Sequence, residues 1–257
     1  MSVIDFYRKT DEEQNKILRD VYAYISSVKS NLIADNRFFT DSKFLEYLKA
    51  TFNESQRNIQ AESEFYRARR YDYHYIDDEK IGTDFEGFDR EASFVNLKSD
   101  WPSFGRMNPQ GIQVLYMATD VRTAITELHP YLDEVFSVAK IKAKENLRIV
   151  DLSFSGSSID DDFSRILSIY VQEWISQGFE ERDYIFSQFI ASYCKYLGYD
   201  GIGYKSKYAT RDNARRKLGV NYTVFNFKKC EVVESKLYRI DRVSIQVSPL
   251  KKGDFLK

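Results

Sequence analysis

The 257-residue sequence has very few of the residues on which disulfide frameworks, metal sites and histidine catalysis depend. It contains two cysteines, Cys194 and Cys230, and two histidines, His74 and His129. The cysteines lie far apart in sequence, so neither a disulfide scaffold nor a cysteine-rich zinc site is expected. A Ser–His pair would need one of the two histidines, and neither lies in a recognisable motif. We therefore expect no metal.

Proline, glycine, net charge and long apolar runs are also scarce. Four prolines and eleven glycines leave little sequence for flexible linkers. The formal net charge is −1, which argues against nucleic acid as a main partner because phosphate binding needs a basic excess. No apolar run approaches membrane length, and the first residues lack a signal-peptide pattern. We expect a cytoplasmic protein that contacts neither nucleic acid nor membrane.

Aromatic residues are abundant instead, with 19 Tyr and 19 Phe. Such side chains bury large areas and favour a well-packed core. There is also one local basic run, KYATRDNARRK at 207–217. It fits either a solvated surface segment or a rim that attracts an anionic ligand or an acidic partner.

Residues 1–58 are predicted to be helical. Thr10 and Glu13 fit a capping box, in which each side chain accepts a hydrogen bond from the other residue's backbone N–H. Apolar residues then recur at helical spacing: Ile17, Leu18, Val21, Tyr22, Ile25, Val28 and Leu32. A second helix is predicted to begin near Thr40 or Asp41. The helical pair is expected to pack on the rest of the chain or on a second copy, so a homo-oligomer through these helices stays open.

The remaining residues, 59–257, mix short strands and helices without a β-α-β rhythm, which predicts an α+β fold. Strands are predicted at 65–69, 112–118, 135–141, 147–152, 202–205, 222–227 and 232–247. Helices are predicted from Asp120 to Leu128, from Asp160 to Ser176, and from a cap at Asp183 to a stop at Gly198. The acidic stretch 77–104 is expected to form a long surface excursion.

Several polar residues stand out against this frame. Arg67 lies on a predicted strand, where a guanidinium can bind a phosphate with two bonds. Arg106 lies in a tight glycine-bounded turn at 105–111. Glu127 lies near the end of a short helix, where a carboxylate opposes the helix dipole, so either a functional role or a surface salt bridge explains it. Ser187 is expected in a first helical turn, where free N–H groups face an anion, or as an ordinary early-turn residue.

Taken together, the stretches resemble the RES domain, a family named for an arginine, a glutamate and a serine. The motifs are GRMNP at 105–109, LYMA at 115–118 and TAITE at 123–127, in this order and spacing. Ser187 followed by YDGI at 199–202 and YKS at 204–206 adds to the resemblance, which covers about residues 62–240. Ala68 is a departure, because some shorter members have a tyrosine after the first arginine.

The resemblance implies an α+β fold similar to ADP-ribosyltransferase toxins, preceded here by a small helical unit. It implies a bacterial toxin or defence effector that degrades NAD⁺ with phosphate or water, and a cognate antitoxin protein as partner. Arg67, Glu127 and Ser187 are implied as catalytic residues. The implied NAD-binding residues are Arg67, Arg106, Tyr116 and Ser187. The helical pair and the 77–104 stretch mark a longer variant.

These roles follow a simple chemistry. Glu127 would stabilise an oxocarbenium-like ribose, and Arg67 and Arg106 would clamp the pyrophosphate. Tyr116 would stack on the nicotinamide or wall its pocket, and Ser187 would bind the ribose, the carboxamide or an attacking phosphate. Three alternatives stay open: ADP-ribosyl transfer to a macromolecule, a non-catalytic partner-binding module, and a ribonuclease suggested by an Arg-x4-His pair at 69–74.

Overall fold

The described part of the chain begins with two helices. The structure is a computed structural model that describes residues 10–95, 104–153, 166, 169–171, 175, 181–208 and 219–243. Helix α1 spans Asp11–Ala34, and Thr10 and Glu13 form the predicted capping box. Helix α2 spans Ser42–Glu54 and is capped by Asp41, whose side chain accepts from the Lys43 N–H. Both helix predictions are confirmed.

Eight strands form one mixed sheet. They are β1 Gln56–Ile59, β2 Glu64–Tyr71, β3 Leu115–Ala118, β4 Val135–Ala143, β5 Leu147–Asp151, β6 Gly201–Lys205, β7 Val220–Val224 and β8 Cys230–Arg239. Their order is β1-β5-β6-β7-β3-β2-β4-β8. Only the β5–β6 pair is parallel among these described strands. The fold is therefore α+β with a helical N-terminal unit, as predicted.

The helices α3 Arg90–Ser93, α4 Val121–Thr126 and α5 Glu181–Tyr196 pack around the sheet, and the isolated described residues 166, 169–171 and 175 are also helical. Short 3-10 turns lie at Tyr73–Tyr75, Asp78–Lys80 and Phe227–Lys229. Asp120 caps α4, as predicted. No helix in the described ranges is both long and apolar enough to cross a bilayer.

The N-terminal helices share a hydrophobic cluster with α5 and with strands β5 and β6. Phe44 of α2 is fully buried, with its ring 6.0 Å from that of Phe186 and 6.5 Å from that of Phe189. Phe52 lies 6.2 Å from Tyr199, between α5 and β6. A second cluster, around Phe65, Leu115 and Ile141, packs strands β2, β3, β4, β5, β7 and β8 together. The helices are thus part of the core beside which the cleft described below is built.

Several boundaries differ from those predicted. Residues 56–58 were predicted to be helical but belong to β1, because Gln56 pairs with Val150 of β5 and the Arg57 Nε lies 3.4 Å from an Asp151 oxygen. Pairing with a distant strand overrides local helix propensity here. Asp183 does not cap α5, since the helix already includes Glu181.

The strand edges shift as well. The strand predicted from residue 112 starts at Leu115, the one predicted at 222–227 runs Val220–Val224, and the last begins at Cys230. The stretch predicted as a surface excursion packs on the sheet in part, with Val95 5% exposed. The predicted helix at 160–176, apart from 166, 169–171 and 175, and most of the basic run at 207–217 lie outside the described residues.

Because α2 shares its core with α5, we predict that Phe44→Ala destabilises the protein as a whole. Removing a fully buried Phe costs about 3–5 kcal/mol through lost burial and the cavity left behind. Urea denaturation followed by circular dichroism should show one cooperative transition at lower urea. Phe38→Ala is the control, since Phe38 is 84% exposed. Two separate transitions, with only the first affected, would instead support residues 1–58 as an independent unit.

Candidate functional site

A cleft opens where the sheet is most weakly joined. Along the described strands, β2 and β3 share a single register pair, Tyr66 with Ala118. The cleft at this junction has a volume of about 610 Å³, a size that suits a small-molecule ligand. It is lined by four of the residues named from the sequence: Arg67, Arg106, Tyr116 and Glu127. Ser187 is not among the lining residues.

The lining of the cleft is strongly basic. Arg67, Arg69, Arg70 and Arg106 all contribute to it, and Glu127 is the one acidic lining residue in the part of the chain that the structure describes. Like charges that line one wall of a concave, low-dielectric surface reinforce each other's potential. The cleft therefore favours an anionic ligand and places one carboxylate beside it.

Arg67 and Arg69 lie on the same face of β2 and both reach the C-terminal end of α3. Arg67 donates from Nη1 to the Ser93 carbonyl at 3.1 Å, and Arg69 donates from Nη2 to the Phe94 carbonyl at 2.9 Å. Burial, and then the charge of Arg69, lowers the pKa of Arg67 to about 9. Arg67 is therefore still a cation at neutral pH, and within the described residues no carboxylate pairs with it. An anionic ligand would supply that partner.

Arg106 projects from a turn whose backbone is closed on itself. The Gly105 N–H donates to the Asn108 carbonyl at 2.9 Å, and the Asn108 N–H donates back at 3.3 Å. The Tyr116 hydroxyl accepts from the Met107 N–H at 2.9 Å and donates to Asn108 Oδ1 at 2.7 Å. A Cβ at Gly105 would lie 2.7 Å from the Tyr116 hydroxyl, so this position requires glycine. Burial raises the pKa of Tyr116, and the phenol stays protonated.

The Arg106 side chain lies between aromatic rings. Its guanidinium carbon is 5.9 Å from the Tyr204 ring centroid and 6.0 Å from that of Tyr184, within cation–π range. It also donates to the Ile175 carbonyl at 3.1 Å. Burial raises the pKa of Tyr204 to about 12, so this ring stays neutral at physiological pH.

The side chains of Ser187 and Gln188 on α5 donate hydrogen bonds to the backbone of the Arg106 turn. The Ser187 hydroxyl is 2% exposed and donates to the Arg106 carbonyl at 2.5 Å. Gln188 donates from Nε2 to the Gly105 carbonyl at 2.8 Å and to the Asn108 carbonyl at 3.1 Å. The expected location of Ser187 in a first helical turn is wrong, because α5 already includes Glu181 and places Ser187 in its second turn. Its catalytic role stays a prediction.

Glu127 is the C-cap residue of α4. Its Oε1 accepts two hydrogen bonds, from Ser206 Oγ at 2.6 Å and from Asn221 Nδ2 at 2.7 Å. These donors offset the unfavourable position of a carboxylate at a helix C-terminus. Within the described residues Glu127 has no ion-pair partner, so a salt bridge between described side chains does not explain its placement.

Comparison with known proteins gives the family. The family model described as RES domain matches residues 64–245, which is more than half of the chain. The chain belongs to the RES domain family. The match begins at Glu64, the first residue of β2, so α1, α2 and β1 lie outside it.

One solved structure similar to this chain contains the M. tuberculosis MbcT-MbcA toxin-antitoxin complex. The sequence identity is 13% and the TM-score 0.41, and the similarity covers 77% of this chain and 93% of the other. No curated protein matches the chain. Among the described residues, no group of His, Cys, Asp and Glu side chains is arranged to hold a metal ion.

Some residues of this RES domain site were not predicted. Ser206 lies in the YKS stretch at 204–206, so its motif was visible although its role was not. Asn221 is the second residue of β7, whose residues are all buried. A polar residue in such a strand could have indicated a functional role. Tyr204, which also lines the cleft, begins the same YKS stretch, whereas Arg70 and Tyr184 line the cleft with no comparable signal in the sequence.

Asp120 fixes the position of α4 against the sheet. Its Oδ1 accepts from the Thr123 N–H at 2.8 Å, and its Oδ2 accepts from Thr123 Oγ1 at 2.7 Å, Thr119 Oγ1 at 3.1 Å and the Gly219 N–H at 3.3 Å. Burial alone would raise the pKa of Asp120, but these hydrogen bonds lower it below its ordinary value. The ionised carboxylate therefore stabilises the folded state.

We predict that Asp120→Asn lowers the free energy of unfolding by about 1–2 kcal/mol at pH 7, because one acceptor oxygen becomes a donor. The folded-state pKa of Asp120 lies below the unfolded value, so its contribution is complete above about pH 5 and is lost as the pH falls through the folded pKa. Urea titrations from pH 7 to pH 3 should show that the difference in free energy of unfolding between wild type and Asp120→Asn becomes smaller as the pH falls. Asp20→Asn, an exposed change on α1, is the control. A difference in free energy of unfolding that does not change with pH would contradict this account.

Proposed function

We propose that this RES domain protein degrades NAD⁺ by cleaving its nicotinamide–ribose bond, as an NAD⁺ phosphorylase or NAD⁺ glycohydrolase. RES-family toxins are in general NAD-processing enzymes. The observation that carries the proposal is the single carboxylate of Glu127 in a cleft whose other charged lining residues, among those described, are all arginines. We further propose that the protein acts as a bacterial toxin or defence effector, with a cognate antitoxin protein as its partner.

The charges of the cleft complement those of NAD⁺. The dinucleotide carries a pyrophosphate anion and a cationic nicotinamide–ribose linkage. Arg67 and Arg106 present guanidinium groups to the pyrophosphate, which planar guanidiniums bind with two parallel hydrogen bonds. Glu127 is then the carboxylate available to the positive ribose. Tyr116 lines the cleft beside Arg106 and offers a ring to the nicotinamide.

The reaction needs charge placement more than proton transfer. When the bond between ribose C1′ and the nicotinamide nitrogen breaks, its electron pair stays on nitrogen and neutral nicotinamide leaves. C1′ becomes oxocarbenium-like, and Glu127 stabilises the positive charge as carboxylates do in glycoside cleavage. An oxygen of phosphate or of water then bonds to C1′, giving ADP-ribose 1″-phosphate or ADP-ribose; with water, a proton is released. No histidine is required.

Ser187 enters this proposal as a support for Arg106. Its hydroxyl proton is directed at the Arg106 carbonyl and, at 3.1 Å, at the Tyr184 carbonyl. A hydroxyl has one proton to donate, so both carbonyls compete for it and none is left for a ligand. The orientation of the Arg106 turn, and through it the pyrophosphate clamp, then depends on Ser187.

We predict opposite kinetic effects for Glu127→Gln and Arg67→Ala. Glu127→Gln keeps size but removes the charge that acts in the transition state, so kcat should fall about 10²–10³-fold with little change in KM. Arg67→Ala removes a contact to a pyrophosphate that is charged throughout, so KM should rise by roughly tenfold or more. The measurement is chromatographic detection of NAD⁺ loss and nicotinamide release, with and without phosphate.

Matched controls for these two variants are Glu46→Gln, exposed on α2, and Arg90→Ala, an exposed arginine paired with Glu231 at 3.9 Å. Both should keep wild-type kinetics. If Glu127→Gln turns over NAD⁺ at the wild-type rate, Glu127 is not the catalytic carboxylate. A folded wild type that consumes no NAD⁺ with phosphate, water or added macromolecules as acceptor would refute the proposed activity.

A separate prediction concerns Ser187→Ala. If the hydroxyl only supports the Arg106 turn, its loss should raise KM for NAD⁺ by about 10-fold, in line with one buried hydrogen bond, and leave kcat nearly unchanged. The initial rates are measured across NAD⁺ concentrations. Ser235→Ala is the control, since Ser235 is a fully buried serine on β8 whose hydroxyl donates to the Phe88 carbonyl. A fall in kcat with constant KM would instead place Ser187 in contact with the reacting groups.

A further inference from the structure

The carboxylate of Glu127 is held through one of its two oxygens. Both hydrogen bonds that it receives end on Oε1, from Ser206 Oγ at 2.6 Å and from Asn221 Nδ2 at 2.7 Å. Ser206 is 3% exposed and Asn221 is 7% exposed, so these bonds are shielded from water. Hydrogen bonds to an ionised acceptor in such surroundings are among the stronger ones in proteins.

The direction of both hydrogen bonds is fixed by the partners. The Tyr208 N–H donates to Ser206 Oγ at 3.1 Å, and a backbone amide cannot accept. The single proton of the Ser206 hydroxyl is therefore available to Glu127. An ionised carboxylate only accepts, so Asn221 must present its NH₂ group rather than its carbonyl oxygen. Neither donor can reverse its role without losing a bond.

The two donors come from the sheet and not from the helix that carries Glu127. Ser206 directly follows β6, and its N–H donates to the Gly219 carbonyl at 2.6 Å. Asn221 lies on β7 between Tyr204 of β6 and Ala118 of β3. Because Asp120 also ties α4 to the Gly219 N–H, the backbone of Glu127 and its donors are fixed to the same part of the sheet. The conformation of the Glu127 side chain is thereby fixed both at its backbone and at its carboxylate.

The second oxygen, Oε2, receives no hydrogen bond from any residue that the structure describes. Glu127 lines the cleft, so Oε2 is the oxygen open to a ligand. We propose that Ser206 and Asn221 are positioning residues that fix Glu127 through Oε1 and leave Oε2 to meet the ribose next to the scissile bond. This inference rests on the proposed NAD⁺ cleavage.

The proposed arrangement acts in the transition state. A carboxylate that is already oriented needs no reorganisation when positive charge develops on C1′. The ground-state ribose carries little of that charge, so loss of the orientation should lower kcat and leave KM almost unchanged. A purely structural effect of the same mutations would lower the fraction of folded enzyme without regard to whether Glu127 is charged.

The experiment is a double-mutant cycle between Ser206→Ala and Glu127→Gln, with kcat and KM measured for NAD⁺ cleavage. Ser206→Ala alone should lower kcat roughly 10- to 100-fold, the effect of losing one hydrogen bond to a charged group, with KM within about threefold of wild type. In the Glu127→Gln background the same change should cost less than about threefold, since the charge on which Ser206 acts is gone. Ser206→Thr keeps a hydroxyl and should recover most of the activity.

Asn221→Asp is a second, isosteric probe that replaces the donor with a carboxylate beside Glu127. It should lower kcat at least tenfold at neutral pH. Ser235→Ala is the control for removing a buried serine hydroxyl elsewhere in the sheet and should keep wild-type kcat. Thermal unfolding of each variant shows that the enzyme assayed is folded; if Ser206→Ala does not fold, Ser206→Thr and Asn221→Asp carry the test.

The outcomes separate the two proposals. If the wild type does not consume NAD⁺, the proposed function itself fails. If the wild type consumes NAD⁺ but Ser206→Ala keeps its kcat, or loses the same factor with and without the Glu127 charge, the positioning role is refuted while the function stands. Wild-type kcat in Asn221→Asp would likewise refute the role of Asn221.

Discussion

The acidic part of the cleft, at Glu127, depends on the hydrogen bonds by which Asp120 connects α4 to the sheet. The same carboxylate caps α4 through Thr123 and accepts from the N–H of Gly219, the residue directly before β7. A helix of six residues has little stability of its own, so its position must come from such tertiary bonds. Glu127 ends this helix, and its location over Asn221 follows from the way that the helix begins.

The basic part of the cleft is built by a different use of hydrogen bonds, in which side chains satisfy backbone carbonyls. Ser187 and Gln188 donate to the carbonyls of the Arg106 turn, and Arg67 and Arg69 donate to those at the C-terminal end of α3. Buried carbonyls need donors, and the last carbonyls of a helix, like those of a turn, lack partners within their own segment. The RES motif residues therefore serve the architecture of the site as well as its charge.

The sequence was sufficient for features that depend on local chemistry. The caps at Thr10, Asp41 and Asp120 follow from side chains that bond nearby N–H groups, and the motif residues Arg67, Arg106, Tyr116 and Glu127 do line one cleft.

Features that depend on long-range pairing were not predictable in the same way. The strand at Gln56–Ile59 exists because β5 lies beside it, and the two donors to Glu127 come from positions 79 and 94 residues further along the chain. Ser187 shows the limit most clearly: the residue was recognised, but the direction of its hydroxyl is set by a turn 81 residues away.

Among the described residues, Arg67 and Glu127 are two charges of the cleft without an ion-pair partner, and the proposed function gives both the same ligand. Burial lowers the pKa of Arg67, which means that holding this cation in the cleft costs folding free energy. Glu127 lies at a helix C-terminus, where hydrogen bonds from Ser206 and Asn221, and no counter-charge from the described residues, offset the dipole. Under the proposed function the pyrophosphate of NAD⁺ supplies a counter-charge to Arg67, and its cationic ribose linkage supplies one to Glu127. Ligand binding to the folded state alone then adds stability through mass action, which couples substrate recognition to the electrostatic cost of building the site.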